Sequence, residues 1–226
     1  MTRIGIVAAF PGELAPLVRS WLKSGSIYTG RIGSREAVAT CAGMGAASAM
    51  RACESLLSAA PPDKPIDTLV SIGWAGSLSC GLKPPDVCAV REVVDAATGE
   101  RFAAASGSGQ RLITLDHVAD PPEKRLLAET WQSVLVDMEA AAVARFARAH
   151  NLGFLCFKAV TDGPSDRLPN FNRFTGPDGR LRLPALVVHA LAHPQTWGPL
   201  RRLGKNSRLA AIELSQFLSR SLAASQ

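Results

Sequence analysis

Aromatic residues are scarce in this chain of 226 residues, at 6%, with a single tyrosine among them. That scarcity argues against a platform for stacking bases, so no nucleic-acid partner is expected. Cysteine is sparse too: Cys41, Cys53, Cys80, Cys88 and Cys156 are odd in number and widely spaced, with no Cys-x-x-Cys pair. This excludes a disulfide frame and a zinc site, and leaves small buried apolar residues or free thiols in a reducing compartment. Neither a metal nor a cofactor is expected. Long apolar runs are missing as well. None approaches the roughly 18 residues of a membrane span, and the first, Ile4 to Phe10, is too short for a signal core and ends at Pro11-Gly12. A cytoplasmic protein is the expectation. Acids are lacking near the end of the chain: residues 177–226 hold seven Lys or Arg against Asp178 and Glu213, which leaves five of the six net positive charges there. That tail reads as a solvated helical face. Alternatively, Trp197, Leu200 and Leu203 beside Arg201, Arg202 and Lys205 form an interfacial patch for peripheral membrane contact.

What is present is 47% hydrophobic residues in short runs. The length suits one domain, residues 1–226, with a basic helical extension over about 183–226. Arg3 to Phe10, rich in Ile and Val, reads as a buried first strand, with Glu13 just past its end. Ser26 to Ile32 and Glu36 to Cys41 flank Gly33-Ser34-Arg35 as a hairpin. Gly43-Met44-Gly45 opens a small-residue helix from Ala46 to about Ser58. Asp67 to Gly73 is a buried strand ending in Gly73-Trp74-Ala75-Gly76, and Asp86 to Val94 and Arg111 to Leu115 are further strands. Pro121 to Trp131 is helical, with Pro at its start and Glu123, Lys124 and Arg125 on its polar side. Ser133 to Asp137 is a strand, Ala140 to His150 a helix and Phe154 to Thr161 a strand. A loop follows over 163–182, then helices from Leu183 to His193 and Asn206 to Ala224, joined by Pro194 to Gly204. Alternating buried strands and helices predict an α/β domain with a covered sheet.

Open α/β sheets bind ligands at the carboxyl edge of their strands. Glu13, Gly43-Met44-Gly45, Gly73-Trp74-Ala75-Gly76, Met138-Glu139 and Thr161-Asp162 all fall at such edges in this reading. Each has a plain alternative. A Gly-x-Gly is a tight turn as readily as a set of N–H groups that hold an anion or ribose oxygens. Glu139 can be a carboxylate meeting a helix dipole, and Asp162 before Gly163-Pro164 a turn residue. Together they point to glycosidic chemistry: the helix and strand between Glu139 and Asp162 bring both acids to one edge, where one holds a polyol and the other handles a proton.

The segments Ile4 to Glu13, Gly43-Met44-Gly45, Gly73-Trp74-Ala75-Gly76, Val136-Asp137-Met138-Glu139-Ala140 and Ala159-Val160-Thr161-Asp162 resemble the ordered motifs of the nucleoside phosphorylase superfamily, over about residues 3–165. Within it the chain is similar to the methylthioadenosine/S-adenosylhomocysteine nucleosidases. The Thr161 to Pro169 segment, His193-Pro194 and Leu200-Arg201-Arg202-Leu203 are similar to the hopanoid-associated phosphorylases, which act on adenosylhopane. The resemblance implies a three-layer α/β/α phosphorylase/hydrolase-like fold with a central mixed sheet, a small-molecule nucleoside substrate, and a homo-oligomer, dimer or higher. By the same resemblance Asp162 protonates purine N7, Glu139 binds the ribose 2′- and 3′-hydroxyls, Met138 packs on the sugar, and Glu13 activates water. Thr161 supports the aspartate, Val118 neighbours the base, and Gly43, Gly45, Trp74, Ala75 and Gly76 line the substrate.

Three departures from the family pattern bear on the reaction. Phosphorolysing relatives carry an Arg in the first loop. Here that loop is Pro11-Gly12-Glu13, with Arg19 further on in a helix, which favours hydrolysis over phosphorolysis. Trp74 replaces a small hydroxyl residue, so a nucleoside-binding module without turnover is the competing reading. Lys158 stands where relatives often have Arg, and either pairs with Glu139 or contacts phosphate.

Overall fold

The computed structural model describes residues 3–106, 109–168, 174, 176, 193 and 196–223. Ten strands form one mixed sheet among these residues. They are β1 (Arg3–Ala8), β2 (Leu22–Ser24), β3 (Ile27–Ile32), β4 (Arg35–Cys41), β5 (Ile66–Ser77), β6 (Val87–Asp95), β7 (Arg101–Ala103), β8 (Gln110–Thr114), β9 (Leu135–Asp137) and β10 (Gly153–Asp162). The helices are α1 (Pro11–Leu14), α2 (Ala46–Ala59), α3 (Pro121–Trp131), α4 (Ala140–Ala149) and α5 (Trp197–Ala223).

The sheet runs β10-β6-β8-β9-β5-β1-β4-β3-β2, with β7 on β6. Because β5 pairs in parallel with β10 along Thr68–Gly76 and antiparallel with β9 at Gly76–Ser77, the strands β10, β6, β8, β9 and β5 close into a ring. The central strands are buried on both faces, and successive residues serve opposite cores. Ile4, Ile6 and Ala8 of β1 face Leu14, Leu214 and Leu218, whereas Val7 faces the cluster that holds Leu56 and Ala144. Thus α2 and α4 cover one face, and α1 and α5 the other, which gives the expected α/β/α layering. The inner stripe of α5, Ala210, Ala211, Leu214, Leu218 and Leu222, has the spacing of one helical face.

The structure departs from the sequence reading in several places. β1 stops at Ala8 because Pro11 starts a one-turn helix, and Arg19 lies in the turns after it, not in a helix. β5 runs on through Gly73-Trp74-Ala75-Gly76 instead of ending before it. β2, whose three residues are exposed, and the short β7 carry too little apolar pattern to be read in advance. α5 begins nine residues ahead of the expected Asn206, since Pro199 falls in its first turn, where a missing N–H breaks no intrahelical bond. The helix expected over 183–193 lies outside the described residues apart from His193, as does most of the 163–182 loop. No helix among the described residues is long and apolar enough to cross a membrane.

Candidate active site

Two strand-to-helix junctions and one strand end build the site. At the first junction, Glu13 sits in α1 and turns its carboxylate back under the sheet edge. Its Oε2 accepts from the backbone N–H of Ala9 and of Phe10, each at 2.8 Å, and its Oε1 accepts from Trp74 N at 2.8 Å. Room for this carboxylate comes from Gly73: a Cβ there would meet Glu13 Oε1 at 2.6 Å, and its φ of +145° is one that side-chain-bearing residues rarely adopt. The glycines of Gly73-Trp74-Ala75-Gly76 therefore admit an acid into a continuing strand, and do not end the strand. Burial pushes the Glu13 carboxyl above the usual range, against the N–H groups of Phe10 and Trp74 and the charge of Lys158, which pull it down.

At the second junction, β9 hands over to α4 through Asp137-Met138-Glu139. Glu139 Oε1 accepts from Gly45 N at 2.7 Å, which ties the start of α4 to the start of α2. Burial raises the Glu139 carboxyl, and the neighbouring Asp137 charge raises it further, so that it is pushed up to about 7, with Lys158 opposing. Asp137 is wholly buried. It accepts from Ala140 N at 2.9 Å and from Thr114 Oγ1 at 2.6 Å, and it pairs with Lys158 Nζ at 2.8 Å. Burial pulls the Lys158 ammonium down, but the charge and hydrogen bond of Asp137, with Cys156 and Glu139 adding, together outweigh it and hold the group above its ordinary value. Lys158 therefore pairs with Asp137 and not with Glu139. Its side chain is buried and also directed at Ile72 O.

β10 delivers Thr161 and Asp162, both buried, with Asp162 in register with Gly76. Thr161 Oγ1 donates to Asp162 Oδ1 at 2.9 Å. The other oxygen, Oδ2, meets the ammonium of Lys124 from α3, which also donates to Gly163 O at 2.8 Å. Lys124 is not on the polar face of its helix, as the sequence reading placed it: it is 1% exposed. The signal was in the stripe Lys124, Leu127, Ala128 and Trp131, spaced as one inward helical face.

These groups surround one cavity of about 130 Å³. Glu13, Glu139 and Asp162 all line it, as do Met138, Thr161 and Val118. Trp74, Ala75 and Gly76 form part of its wall, and Lys124 its floor beside Asp162. Gly43 and Gly45 are not among its lining residues, although Met44 between them is. Their N–H groups are committed inside the protein, Gly43 to Ala9 O at 3.1 Å and Gly45 to Glu139, so neither is free to hold a ligand oxygen. His117, next to Val118, lies between Asp116 and Glu123. The Asp116 hydrogen bond raises its pKa, with Glu123 adding, against burial.

Trp74 stacks on Phe10 at 5.7 Å between ring centroids, and its buried Nε1 has no hydrogen-bond partner among the described residues. It also lines a second, larger cavity of about 1130 Å³ that runs between the β1–α1 loop and α5. The two cavities share Phe10, Met44, Trp74, Val118, Thr161, Asp162 and Leu168.

A family model described as the phosphorylase superfamily matches residues 3–120 and 112–192. The chain belongs to the phosphorylase superfamily. Solved structures similar to this superfamily member include the 5′-methylthioadenosine/S-adenosylhomocysteine nucleosidase of S. pneumoniae with a transition-state inhibitor, at 20% identity and a TM-score of 0.72 over 100% of both chains. The S-adenosylhomocysteine nucleosidase of Streptococcus pyogenes matches at 18% identity and a TM-score of 0.73, over 100% of this chain and 98% of that one. The futalosine hydrolase of Helicobacter pylori matches at 13% identity and a TM-score of 0.70, over 98% of this chain and 97% of that one. At such identities the likeness is one of fold. No curated protein matches this phosphorylase-superfamily chain by sequence.

Proposed function

We propose that this protein cleaves the N-glycosidic bond of an adenosine-type nucleoside, releasing adenine, with water as the acceptor. The observation that carries this reading is the convergence of Glu13, Glu139 and Asp162 on one small cavity. Glu139 holds the ribose hydroxyls, Asp162 delivers a proton to N7 so that adenine leaves as a neutral base, and Glu13 takes the proton of the attacking water. The Oε1 of Glu13 accepts one backbone N–H and keeps a lone pair for that water. Its raised pKa makes it a stronger base than an exposed carboxylate. An acid in this position repels phosphate. Folded protein incubated with adenosine-type nucleosides, with and without phosphate, is expected to release adenine in both cases. Release only with phosphate would make the acceptor phosphate, and no release at all would end the proposal.

Glu139 gives this reading a pH signature. The ionised carboxylate accepts both ribose hydroxyls, whereas the protonated form can accept fewer. With its carboxyl pushed up to about 7, kcat/KM is expected to rise with pH through that value and level off above it. Glu139→Gln is expected to abolish that limb along with most of the activity; a limb that survives in the variant assigns it to another group. The stability sign is opposite. A folded-state pKa raised above 4.5 means that Glu139's contribution is fully present below that pH and lost as pH rises through about 7. Ribose hydroxyls offset that loss when substrate binds.

The second cavity bears on the 5′ substituent. It opens from the first at Phe10, Trp74 and Asp162, and apolar residues of α5, Leu200, Leu203, Ala211 and Ile212, form one wall. A large apolar 5′ group suits that space, which supports adenosylhopane over methylthioadenosine or adenosylhomocysteine as the substrate. Gly204 lies on the same wall, and a Cβ there meets nothing within 4 Å. Gly204→Phe is therefore expected to fill free space and raise KM for a long apolar 5′ substituent by about tenfold or more, the scale of one misfit in an apolar pocket. Methylthioadenosine turnover should change little. An equal effect on both substrates would remove the second cavity from specificity.

A further inference from the structure

We infer that Lys124 is a positioning residue that charges Asp162 with the proton used to expel adenine. The inference rests on the nucleosidase reading above and adds the source of the proton. A carboxylate that is to protonate N7 must first hold a proton. In this structure the donor that meets Asp162 Oδ2 is the Nζ of a buried lysine, and the other oxygen accepts from Thr161. The Lys124–Asp162 pair therefore carries one transferable proton and no net charge.

The placement is specific. Lys124 reaches Asp162 across 38 residues from the first turns of α3, whose start is capped by Asp120 accepting from Glu123 N at 2.9 Å. Gly163 O holds the ammonium from a second side at 2.8 Å. Gly76, in register with Asp162, packs on the pair: a Cβ there would lie 3.1 Å from Asp162 Oδ2 and 3.4 Å from Lys124 Cε. Side-chain exposure is 2% for Lys124 and 7% for Asp162, so bulk water does not reach the pair freely. Other ionisable groups around it are His117 and Glu123 before and at the start of α3, Glu139, Asp137 and Glu13 across the cavity, and Asp166, Arg167 and Arg202 on the far side of Asp162. Of these, only the Lys124 ammonium is hydrogen-bonded to the Asp162 carboxylate.

The step balances as follows. As the C1′–N9 bond breaks, its electron pair stays with adenine and N7 takes the proton from Asp162 Oδ2. That proton comes from Lys124, whose Nζ–H bond breaks as it passes to Oδ2, so the pair ends as a neutral amine beside a carboxylate. Water adds its oxygen to C1′ and gives its proton to Glu13. Net charge in the site is unchanged, and solvent resets Lys124 and Glu13 after product leaves.

The test compares turnover with binding in Lys124→Met and Lys124→Arg. The binding probe is methylthio-7-deazaadenosine, which lacks the N7 acceptor. Expected are losses in kcat for adenine release of about 100-fold or more in both variants, the low end of general-acid effects, with Kd for the probe within about threefold of wild type. Arginine keeps the charge but does not give up its proton, so restored turnover in Lys124→Arg would overturn the proton role. Weakened probe binding in proportion to kcat would make Lys124 merely structural and would equally overturn it, as would wild-type kcat in Lys124→Met. If neither variant folds, wild-type kcat must still fall at high pH where probe binding does not, and coincident profiles reject the inference. Wild-type protein that neither releases adenine nor binds the probe rejects the nucleosidase reading itself.

Discussion

Asp162→Asn is expected to lower kcat for adenine release by about 10²–10⁴-fold, the range a positioned general acid contributes. An amide at this position keeps an oxygen for Lys124 or Thr161 but carries no transferable proton. The base would then have to leave as an anion. The substitution also removes one charge of a buried pair, so stability must be measured beside turnover; thermal unfolding and the Kd of the 7-deaza nucleoside separate the two effects. A folded variant that binds the analogue like wild type and turns over within about tenfold of it would refute the assignment of Asp162 as general acid. Because Asp162 and Lys124 act as one unit in this scheme, the double variant Asp162→Asn/Lys124→Met should be little slower than either single one.

The acids themselves were legible because their local sequence placed them. Glu139 follows a short apolar strand and precedes an alanine-rich helix, and Asp162 closes a ten-residue apolar strand, so each had to fall at a sheet edge. Their partners were less legible, for physical reasons. Lys158, for which the sequence offers Glu139 or phosphate as partner, pairs with Asp137. Asp137, the last residue of β9, turns into the buried layer where Lys158 ends, while Glu139, two residues on, turns to Gly45 and the cavity. Strand register across 21 residues decides that choice, and composition does not encode it. Lys124 was hidden by its charge: a lysine beside Glu123 and Arg125 looks solvated until the opposing carboxylate on β10 is in place. The glycines of Gly73-Trp74-Ala75-Gly76 looked like strand punctuation. Their function is close approach, Gly73 to Glu13 and Gly76 to Asp162, which needs the tertiary fold to be seen.

Lys158→Met is expected to destabilise the protein by about 3–5 kcal/mol, the cost of leaving a buried charge without its partner. Asp137 would retain Ala140 N and Thr114 Oγ1 but lose its counter-charge, with its side chain 0% exposed and that of Lys158 1% exposed. The same substitution reaches the cavity electrostatically. The Lys158 charge lowers the carboxyl pKa of both Glu13 and Glu139, so its removal should move the acidic limb of kcat/KM above pH 7. The double variant Asp137→Asn/Lys158→Met removes both charges and is expected to recover much of the lost stability, because an uncharged pair carries no unpaid desolvation. Urea unfolding of the two single variants and the double one measures the coupling directly. Strict additivity of their effects would show that the two side chains do not interact in solution, and a limb that stays near pH 7 would separate Lys158 from Glu139. Coupling with a shifted limb would mean that one buried lysine holds the β9–α4 junction together and sets the charge state of the group proposed to grip the ribose.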